Sequence, residues 1–256
     1  MINSELKKKF KKKNKIFAHW ITKFDLLSLE IVLKANVYDC FVVDMEHSSI
    51  SFSELEKIII LVDAYKKPSL VRIEKIDKIY ISKPLDFGAS GIIAPNVNTE
   101  HDIDLLINSI LYPPFGKRGV GLSRANNHGQ KFKDYYKKFN NSVVIIPMIE
   151  NITALKNLEK ISSSKKIDCL MIGPYDLSAS MKIAGNFDTR IFKNAIKNIL
   201  DISKKNRLGC GIHIVNTKKV NLKSLIKQGY NFFPFSTDVQ IFIDGLIEKI
   251  KIIKKK

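Results

Sequence analysis

Short apolar runs alternate with longer amphipathic segments along almost the whole chain. The short runs are typical of buried strands, and the longer segments repeat their apolar residues at helical spacing. The predicted strands are residues 16–22, 40–44, 69–72, 91–95, 143–149, 169–173, 209–215 and 232–235. The predicted helices are residues 25–35, 53–65, 78–87, 100–111, 154–162, 191–205, 222–228 and 239–253.

Eight strand–helix units in a chain of this length predict one domain. Strands that are joined through helices run parallel to one another. The chain has 256 residues, of which 45% are hydrophobic, so it can bury a full core. Eight units favour an α/β fold of the (β/α)8 TIM-barrel type over a doubly wound sheet. We expect a single TIM-barrel domain over residues 1–256, with residues 1–15 as a basic N-terminal extension and residues 239–256 as a C-terminal helix.

Charged side chains stand where four of the predicted strands end. The second strand runs into Asp44 and His47, the third ends in Arg72, and the fifth and sixth lead to Glu150 and Asp176. Active sites of parallel barrels are built at this end of the strands, so we expect these side chains to gather there. Taken singly, each of the last two carboxylates fits equally well as the N-cap of the helix that follows. The agreement of four strands favours a site.

The chemistry of these residues suggests an anionic ligand and a cation. Two carboxylates, Glu150 and Asp176, suit a divalent cation such as Mg²⁺ or Mn²⁺. The two-pronged guanidinium of Arg72 suits a carboxylate. His47 serves either in proton transfer or as a structural partner of a neighbouring acid, and Trp20 either walls the pocket or is an ordinary core tryptophan.

The stretch 112–130 is a long segment without a periodic pattern. It contains four glycines, two arginines and His128. Its glycine spacing lacks the strand–turn–helix context of a dinucleotide site. Loops of this length in compact domains are usually functional or disordered. We expect a glycine-hinged lid in which Arg118 contacts an anionic ligand.

Composition removes several function classes. The formal charge of +18 comes mainly from lysines spread over the predicted helix faces, and no nucleic-acid-binding signature accompanies them. We therefore expect no nucleic-acid partner and expect the Lys-rich termini to be solvated tails. No apolar run is long enough to span a membrane, and no signal peptide is recognisable. Three cysteines without CxxC spacing read as core residues of a reduced, cytoplasmic protein.

Longer motifs resemble a known family, the class II metal-dependent pyruvate aldolases of the HpcH/HpaI type. The matching stretches follow the family's order. They are VDMEH at 43–47, LVR at 70–72, LDFGASGIIAP at 85–95, YPPFGKRGVG at 112–121, IPMIE at 146–150 and IGPYDLSAS at 172–180. The tyrosine–proline–proline loop and the last segment are the most specific of these.

The resemblance implies a role for each strand-end residue. Glu150 and Asp176 would bind the divalent metal, which would be Mg²⁺, Mn²⁺ or Co²⁺. Arg72 would hold the carboxylate and enolate end of pyruvate. His47, with Asp44 beside it, would serve in proton transfer.

Other properties are also implied by the resemblance. The backbone at Gly173, Pro174 and Tyr175 would contact the pyruvate carboxylate. The protein would form a homo-oligomer, a trimer or hexamer, with the last helix exchanged between barrels. Asn96 departs from the methionine common in the family, and residues 48–50 also differ, which leaves the aldehyde open.

The expected activity is a reversible aldol reaction between two small molecules. A 4-hydroxy-2-oxo acid would be cleaved to pyruvate and an aldehyde, through an enolate stabilised by the metal. The alternative is a lyase of the citrate-lyase β type that acts on acyl-CoA thioesters. A non-enzymatic scaffold or RNA-binding protein is a third possibility, but it gives no reason for charged residues at strand ends.

Overall fold

Eight parallel strands close into one barrel in the computed structural model, which describes residues 4–254. Each strand pairs with the next along the chain, and the eighth pairs with the first. The predicted TIM-barrel fold is confirmed. The strands are β1 Ile16–Ile21, β2 Cys40–Asp44, β3 Ser69–Arg72, β4 Gly91–Ala94, β5 Val144–Ile149, β6 Cys169–Ile172, β7 Gly209–Ile212 and β8 Phe232–Pro234.

Helices follow the strands and cover the outside of the barrel. Many begin at a side-chain cap, such as Ser51, which forms a reciprocal capping box with Glu54. This arrangement satisfies two backbone N–H groups that have no partner within the helix. The helices are α1 Ser4–Lys11, α2 Leu26–Ala35, α3 Phe52–Ala64, α4 Lys78–Phe87, α5 Glu100–Ile110, α6 Phe132–Phe139, α7 Ile152–Lys156, α8 Leu158–Ser162, α9 Pro174–Ser180, α10 Arg190–Lys205, α11 Leu222–Gln228 and α12 Asp238–Ile253.

Two apolar layers hold these elements together. The larger layer lies between the strands and the surrounding helices. The smaller layer fills the inside of the barrel with alternate strand residues, among them Val42, Leu70, Met148 and Met171. A strand directs successive side chains to opposite sides. The residue two positions beyond each of these therefore also faces inward.

The Lys-rich N-terminal segment is not a solvated tail. Residues 4–11 form helix α1, and its Leu6 and Phe10 are buried in the inner layer. The Phe10 ring meets the Phe232 ring edge-on at a centroid distance of 5.4 Å. Lys7 bonds Asp168 at 2.9 Å. The prediction failed because the lysines hid an apolar pair at helical spacing. Residues 1–3 and 255–256 lie outside the described part of the chain.

Three further features bear on the predictions. Cys40, Cys169 and Cys210 are free and buried, as expected of core cysteines. Within residues 4–254, no helix is long and apolar enough to cross a bilayer. Helix α12 has no fully buried residue, although most of its sequence is apolar.

Candidate active site

The charged residues at the strand ends continue the inward-facing positions of the barrel. Asp44, Arg72, Glu150 and Gly173 each lie two residues beyond an inner-layer residue. The alternation of the strands therefore turns all four positions toward the barrel axis. Polar groups at this height form the upper surface of an otherwise apolar interior.

Asp44 and Arg72 form the best-defined contact of the site. They are register partners on β2 and β3. Arg72 donates from Nε to Asp44 Oδ1 at 2.9 Å and from Nη2 to Asp44 Oδ2 at 2.5 Å. Both side chains are almost completely buried. Burial opposes ionisation of Asp44, but the hydrogen bond and positive charge of Arg72 prevail, so the pKa of Asp44 is lowered.

Aromatic rings support this pair from the side. Trp20 Nε1 donates to Asp44 Oδ2 at 3.2 Å, and the Arg72 guanidinium lies 5.1 Å from the Trp20 ring centroid. Trp20 stacks on His213 with a centroid distance of 4.4 Å. Burial, aided by the charge of Arg72, lowers the pKa of His213 to about 4, so its ring is neutral near pH 7. Trp20 is therefore a wall of the charged cluster as well as a buried residue.

Glu46 lies on the other side of the guanidinium. Its Oε2 is 2.9 Å from Arg72 Nη1. Burial raises the pKa of Glu46 to about 7. Arg72 opposes this rise, and Asp44, Asp176 and Glu74 add to it. The sequence indicated no role for Glu46 beyond that of a possible partner for His47.

His47 lies at the edge of the site and is largely exposed. Its side chain is 65% exposed, and its Nε2 is 3.9 Å from Glu46 Oε2. Asp44 Oδ1 accepts the backbone N–H of His47 at 3.2 Å. Asp44 thus shapes the turn that carries His47, and the acid nearer to the imidazole is Glu46.

Glu150 is buried at the end of β5. Its Oε1 accepts the backbone N–H of Asn96 at 2.6 Å. Burial raises the pKa of Glu150 to about 7, with nearby Glu46 and Asp176 adding to the rise while the Asn96 N–H and Arg72 oppose it. Gly173 leaves the space that this side chain needs, since a Cβ at position 173 would lie 2.7 Å from Glu150 Oε2.

Asp176 approaches the cluster from helix α9. It lies in the first turn of that helix, where negative charge is favourable. Its side chain is exposed, but its charge contributes to raising the pKa of both Glu46 and Glu150. Pro174 occupies the first turn of the same helix. Tyr175 is half exposed. Its ring meets the Phe187 ring edge-on at a centroid distance of 5.1 Å, so its side chain packs on the segment between α9 and α10.

Arg118 is not brought together with these residues. Its Nη2 bonds Asp86 Oδ1 at 2.6 Å, and its guanidinium packs on the rings of Tyr112 and Phe139. Asp86 stands near the C-terminal end of α4, and the Arg118 N–H bonds the carbonyl of Leu111 at the end of α5. The ends of these helices lie at the amino-terminal end of the barrel strands. The predicted lid therefore does not cover the site of its own chain.

The donor set is compatible with a divalent cation. Arg72 is paired with Asp44 and Glu46, and the pKa values of Glu46 and Glu150 are raised to about 7 by burial and, to a smaller extent, by the negative charges of neighbouring acids such as Asp176. Uncompensated negative charge of this kind is reduced by a cation bound to oxygen ligands. Within the described residues, no group of three or more His, Cys, Asp or Glu could itself hold a metal. A pair of carboxylates would leave several positions for substrate and water.

Comparisons with known proteins agree with this site and fold. Residues 20–245 match the model of a family described as HpcH/HpaI aldolase/citrate lyase. A 2-dehydro-3,6-dideoxy-6-sulfogluconate aldolase of Pseudomonas putida is 30% identical over 85% of this chain and 84% of its own. A 2-keto-3-deoxy-L-rhamnonate aldolase of Shigella dysenteriae is 30% identical over 92% of this chain and 87% of its own.

The fold agrees as well. The crystal structure of an HpcH/HpaI aldolase/citrate lyase family protein from Burkholderia cenocepacia superposes with a TM-score of 0.92 at 23% identity, covering 98% of this chain and 100% of the other. The predicted enzyme class, a carbon–carbon lyase of the aldolase type, is confirmed by the relatives. The chain belongs to the HpcH/HpaI aldolase/citrate lyase family.

Proposed function

We propose that this aldolase cleaves a 4-hydroxy-2-oxo acid reversibly to pyruvate and an aldehyde. The observation that carries the proposal is the grouping of Arg72, Glu150 and Asp176 at one end of the barrel. The two similar aldolases described above have substrates named as 2-keto-3-deoxy or 2-dehydro-3,6-dideoxy sugar acids. Such acids carry the keto acid end that the site would hold.

Glu150 and Asp176 would hold the divalent cation, for which Mg²⁺ and Mn²⁺ are the first candidates and Co²⁺ is a third. Both offer carboxylate oxygens, the ligand type that hard cations favour. When bound, the cation supplies Lewis-acid stabilisation of negative charge on the substrate's keto oxygen.

The remaining residues would bind and orient the keto acid and move its proton. Arg72 is fixed by Asp44 and Trp20, so its guanidinium is pre-positioned for an anionic group. The backbone at Gly173, Pro174 and Tyr175 would contact the carboxylate. His47, at the exposed edge, is the candidate for exchange of the proton at the pyruvate methyl carbon.

The alternative, a lyase acting on acyl-CoA thioesters, has less support. The family description includes citrate lyase. The two relatives above are both named aldolases of sugar-derived keto acids. Binding of acetyl-CoA at micromolar concentration would favour the alternative over the aldolase.

A homo-oligomer, a trimer or hexamer, is part of the proposal. Helix α12 exposes a series of large apolar side chains, among them Phe242 and Ile253. Between α2 and α12 lies a groove of about 500 Å³, lined in part by apolar residues of both helices. A surface of this kind on a second copy would cover both. The three buried free cysteines suit a reducing compartment, and we propose the cytoplasm.

Turnover tests the proposed function directly. The protein is mixed with pyruvate, Mn²⁺ or Mg²⁺ and a panel of aldehydes, and pyruvate consumption is followed. We expect consumption with at least one aldehyde, and its loss when EDTA is added. The absence of turnover with every aldehyde, together with no exchange of the pyruvate methyl protons, would overturn the proposal.

A further inference from the structure

Each of the three guanidinium nitrogens of Arg72 already lies against a carboxylate of the chain. Nε and Nη2 are both held by Asp44, at 2.9 and 2.5 Å. Nη1 is held by Glu46 at 2.9 Å. A ligand anion that makes a charge-assisted contact with Arg72 therefore meets one of the chain's own carboxylates at that nitrogen.

The two carboxylates differ in how firmly they are held. Asp44 also accepts the Trp20 indole N–H and the backbone N–H groups of Glu46 and His47, and its side chain is 2% exposed. The Glu46 carboxylate has Arg72 as its single ion-pair partner at hydrogen-bonding distance among the described residues, and its side chain is 13% exposed. Displacing Asp44 would break five hydrogen bonds, whereas displacing Glu46 breaks one ion pair.

We infer that Glu46 occupies the position on Arg72 that an anionic substrate takes, and that it leaves Nη1 when the substrate binds. The inference rests on the proposed function, because it assumes that a keto acid binds at Arg72. Glu46 is then a specificity-determining residue. A weakly charged ligand cannot displace it, whereas a carboxylate or a developing oxyanion can.

Charged groups from several elements face Glu46 and determine how easily it leaves Arg72. Arg72 attracts it, whereas the other acids repel it and so favour its release. Its pKa is raised to about 7, chiefly by burial, which lowers the cost of leaving Arg72 because the displaced carboxyl can take up a proton. A bound cation would lower the pH at which the displaced Glu46 carboxyl takes up a proton. The groups that face Glu46 are Arg72 on β3, Asp44 on β2, Glu74 beyond β3, Glu150 beyond β5, Asp176 on α9 and His47 beside it.

The test measures pyruvate binding to the Mn²⁺-loaded protein by titration calorimetry at pH 8. Glu46→Gln removes the competing charge and keeps the side-chain size. We expect the variant to bind pyruvate about tenfold more tightly than the wild type, a change that corresponds to about 1.4 kcal/mol. The gain should shrink as the pH is lowered, because protonated Glu46 no longer competes as an anion.

Glu74→Gln is the matched control. It removes the same charge near the site, and Glu74 is exposed and raises the pKa of Glu46 without contacting Arg72. Its pyruvate affinity should stay close to that of the wild type. An equal gain in both variants would overturn the inference, since a general charge effect would explain it.

A second readout separates displacement from a static role. Repeating the titration in two buffers with different ionisation enthalpies gives the number of protons taken up on binding. Because the bound cation favours the ionised form of Glu46, we expect uptake for the wild type at pH 6 and none for Glu46→Gln. Wild-type binding without proton uptake, and without a gain in the variant, overturns this inference alone. No pyruvate binding by any variant overturns both the inference and the proposed function.

Discussion

Asp44 and Arg72 are register partners on neighbouring strands, and their side chains meet in a two-pronged contact inside the barrel. The contact is formed by the fold itself, because parallel pairing places the ends of β2 and β3 at the same height. It fixes the plane of the guanidinium before any ligand arrives.

Asp44→Asn should destabilise the protein strongly. The amide keeps the shape of the side chain but leaves Arg72 as a buried charge with a weakened partner, and breaking a buried pair costs about 3–5 kcal/mol. Urea unfolding monitored by circular dichroism measures this. Asp134→Asn is the control, since its pair with Lys138 is exposed and contributes little. Equal stability of the two variants would contradict the structural role of Asp44.

Glu150→Gln and Asp176→Asn should lose cation binding and aldolase activity together. Each change removes one anionic ligand of the cation. Loss of a residue that only supports a metal ligand lowers metal affinity by about 10–100-fold, so loss of a ligand itself should lower the cation affinity by at least about a hundredfold. His47→Ala should keep the cation and slow methyl-proton exchange by roughly 10²–10⁴-fold. Mn²⁺ titration beside proton exchange in pyruvate separates these effects. If His47→Ala loses Mn²⁺ as completely as Glu150→Gln, then His47 is a ligand.

Gly173→Ala should disturb the site while leaving the barrel folded. The backbone of Gly173 suits any residue at φ −93°, but the new methyl group would lie 2.7 Å from Glu150 Oε2 and displace that carboxylate. We expect cation affinity to fall by about 10–100-fold. Gly119→Ala is the control, because nothing lies within 4 Å of a Cβ there. Unchanged Mn²⁺ affinity in Gly173→Ala would show that Glu150 moves without consequence.

The metal-free protein should lose stability as the pH rises from about 5 to 7. The pKa of Glu150 is raised from 4.5 to about 7 in the folded state, so the folded state binds more protons than the unfolded state in this window. The loss attributable to Glu150 is about 3 kcal/mol and levels off above pH 7. Thermal unfolding in EDTA at several pH values should show a smaller slope for Glu150→Gln, whereas Glu159→Gln, at an exposed position, should retain the wild-type slope.

Phe10→Ala should unfold the barrel at markedly lower denaturant concentration. Phe10 is fully buried against Phe232, and truncation of such a ring costs about 3–5 kcal/mol. Lys8→Ala on the exposed face of the same helix should change stability by less than about 0.5 kcal/mol. Equal stability of both variants would mean that α1 is dispensable for the barrel.

Most of the barrel was predictable because strand and helix periodicities are local properties of the chain. Helix α1 was missed because its lysines concealed Leu6 and Phe10, which are spaced four residues apart on one helical face. The position of Arg118 was missed for a topological reason. A segment that leads from a helix to the next strand begins at the amino-terminal end of the barrel, opposite the site.

The gathering of charged residues at the strand ends was predictable from their positions in the sequence, but the partners of these residues were not. The inward alternation from Val42 to Asp44 and from Leu70 to Arg72 could have predicted that these two face each other. The contact between Glu46 and Arg72 could not be predicted, because it depends on the turn after β2. The backbone N–H that Asn96 donates to Glu150 is equally invisible in the sequence.

The apolar inner layer beneath the site determines the side from which protons can reach a bound reactant. Val42, Leu70, Met148 and Met171 are fully or almost fully buried directly below the four inward-facing strand-end positions. These apolar side chains offer no chain of water or hydroxyl groups through which a proton could reach the site from below. Hydrogen isotope reaching a bound reactant must therefore enter from the open rim, where His47 stands. Label delivered from solvent should accordingly arrive on a single face of the planar carbanion.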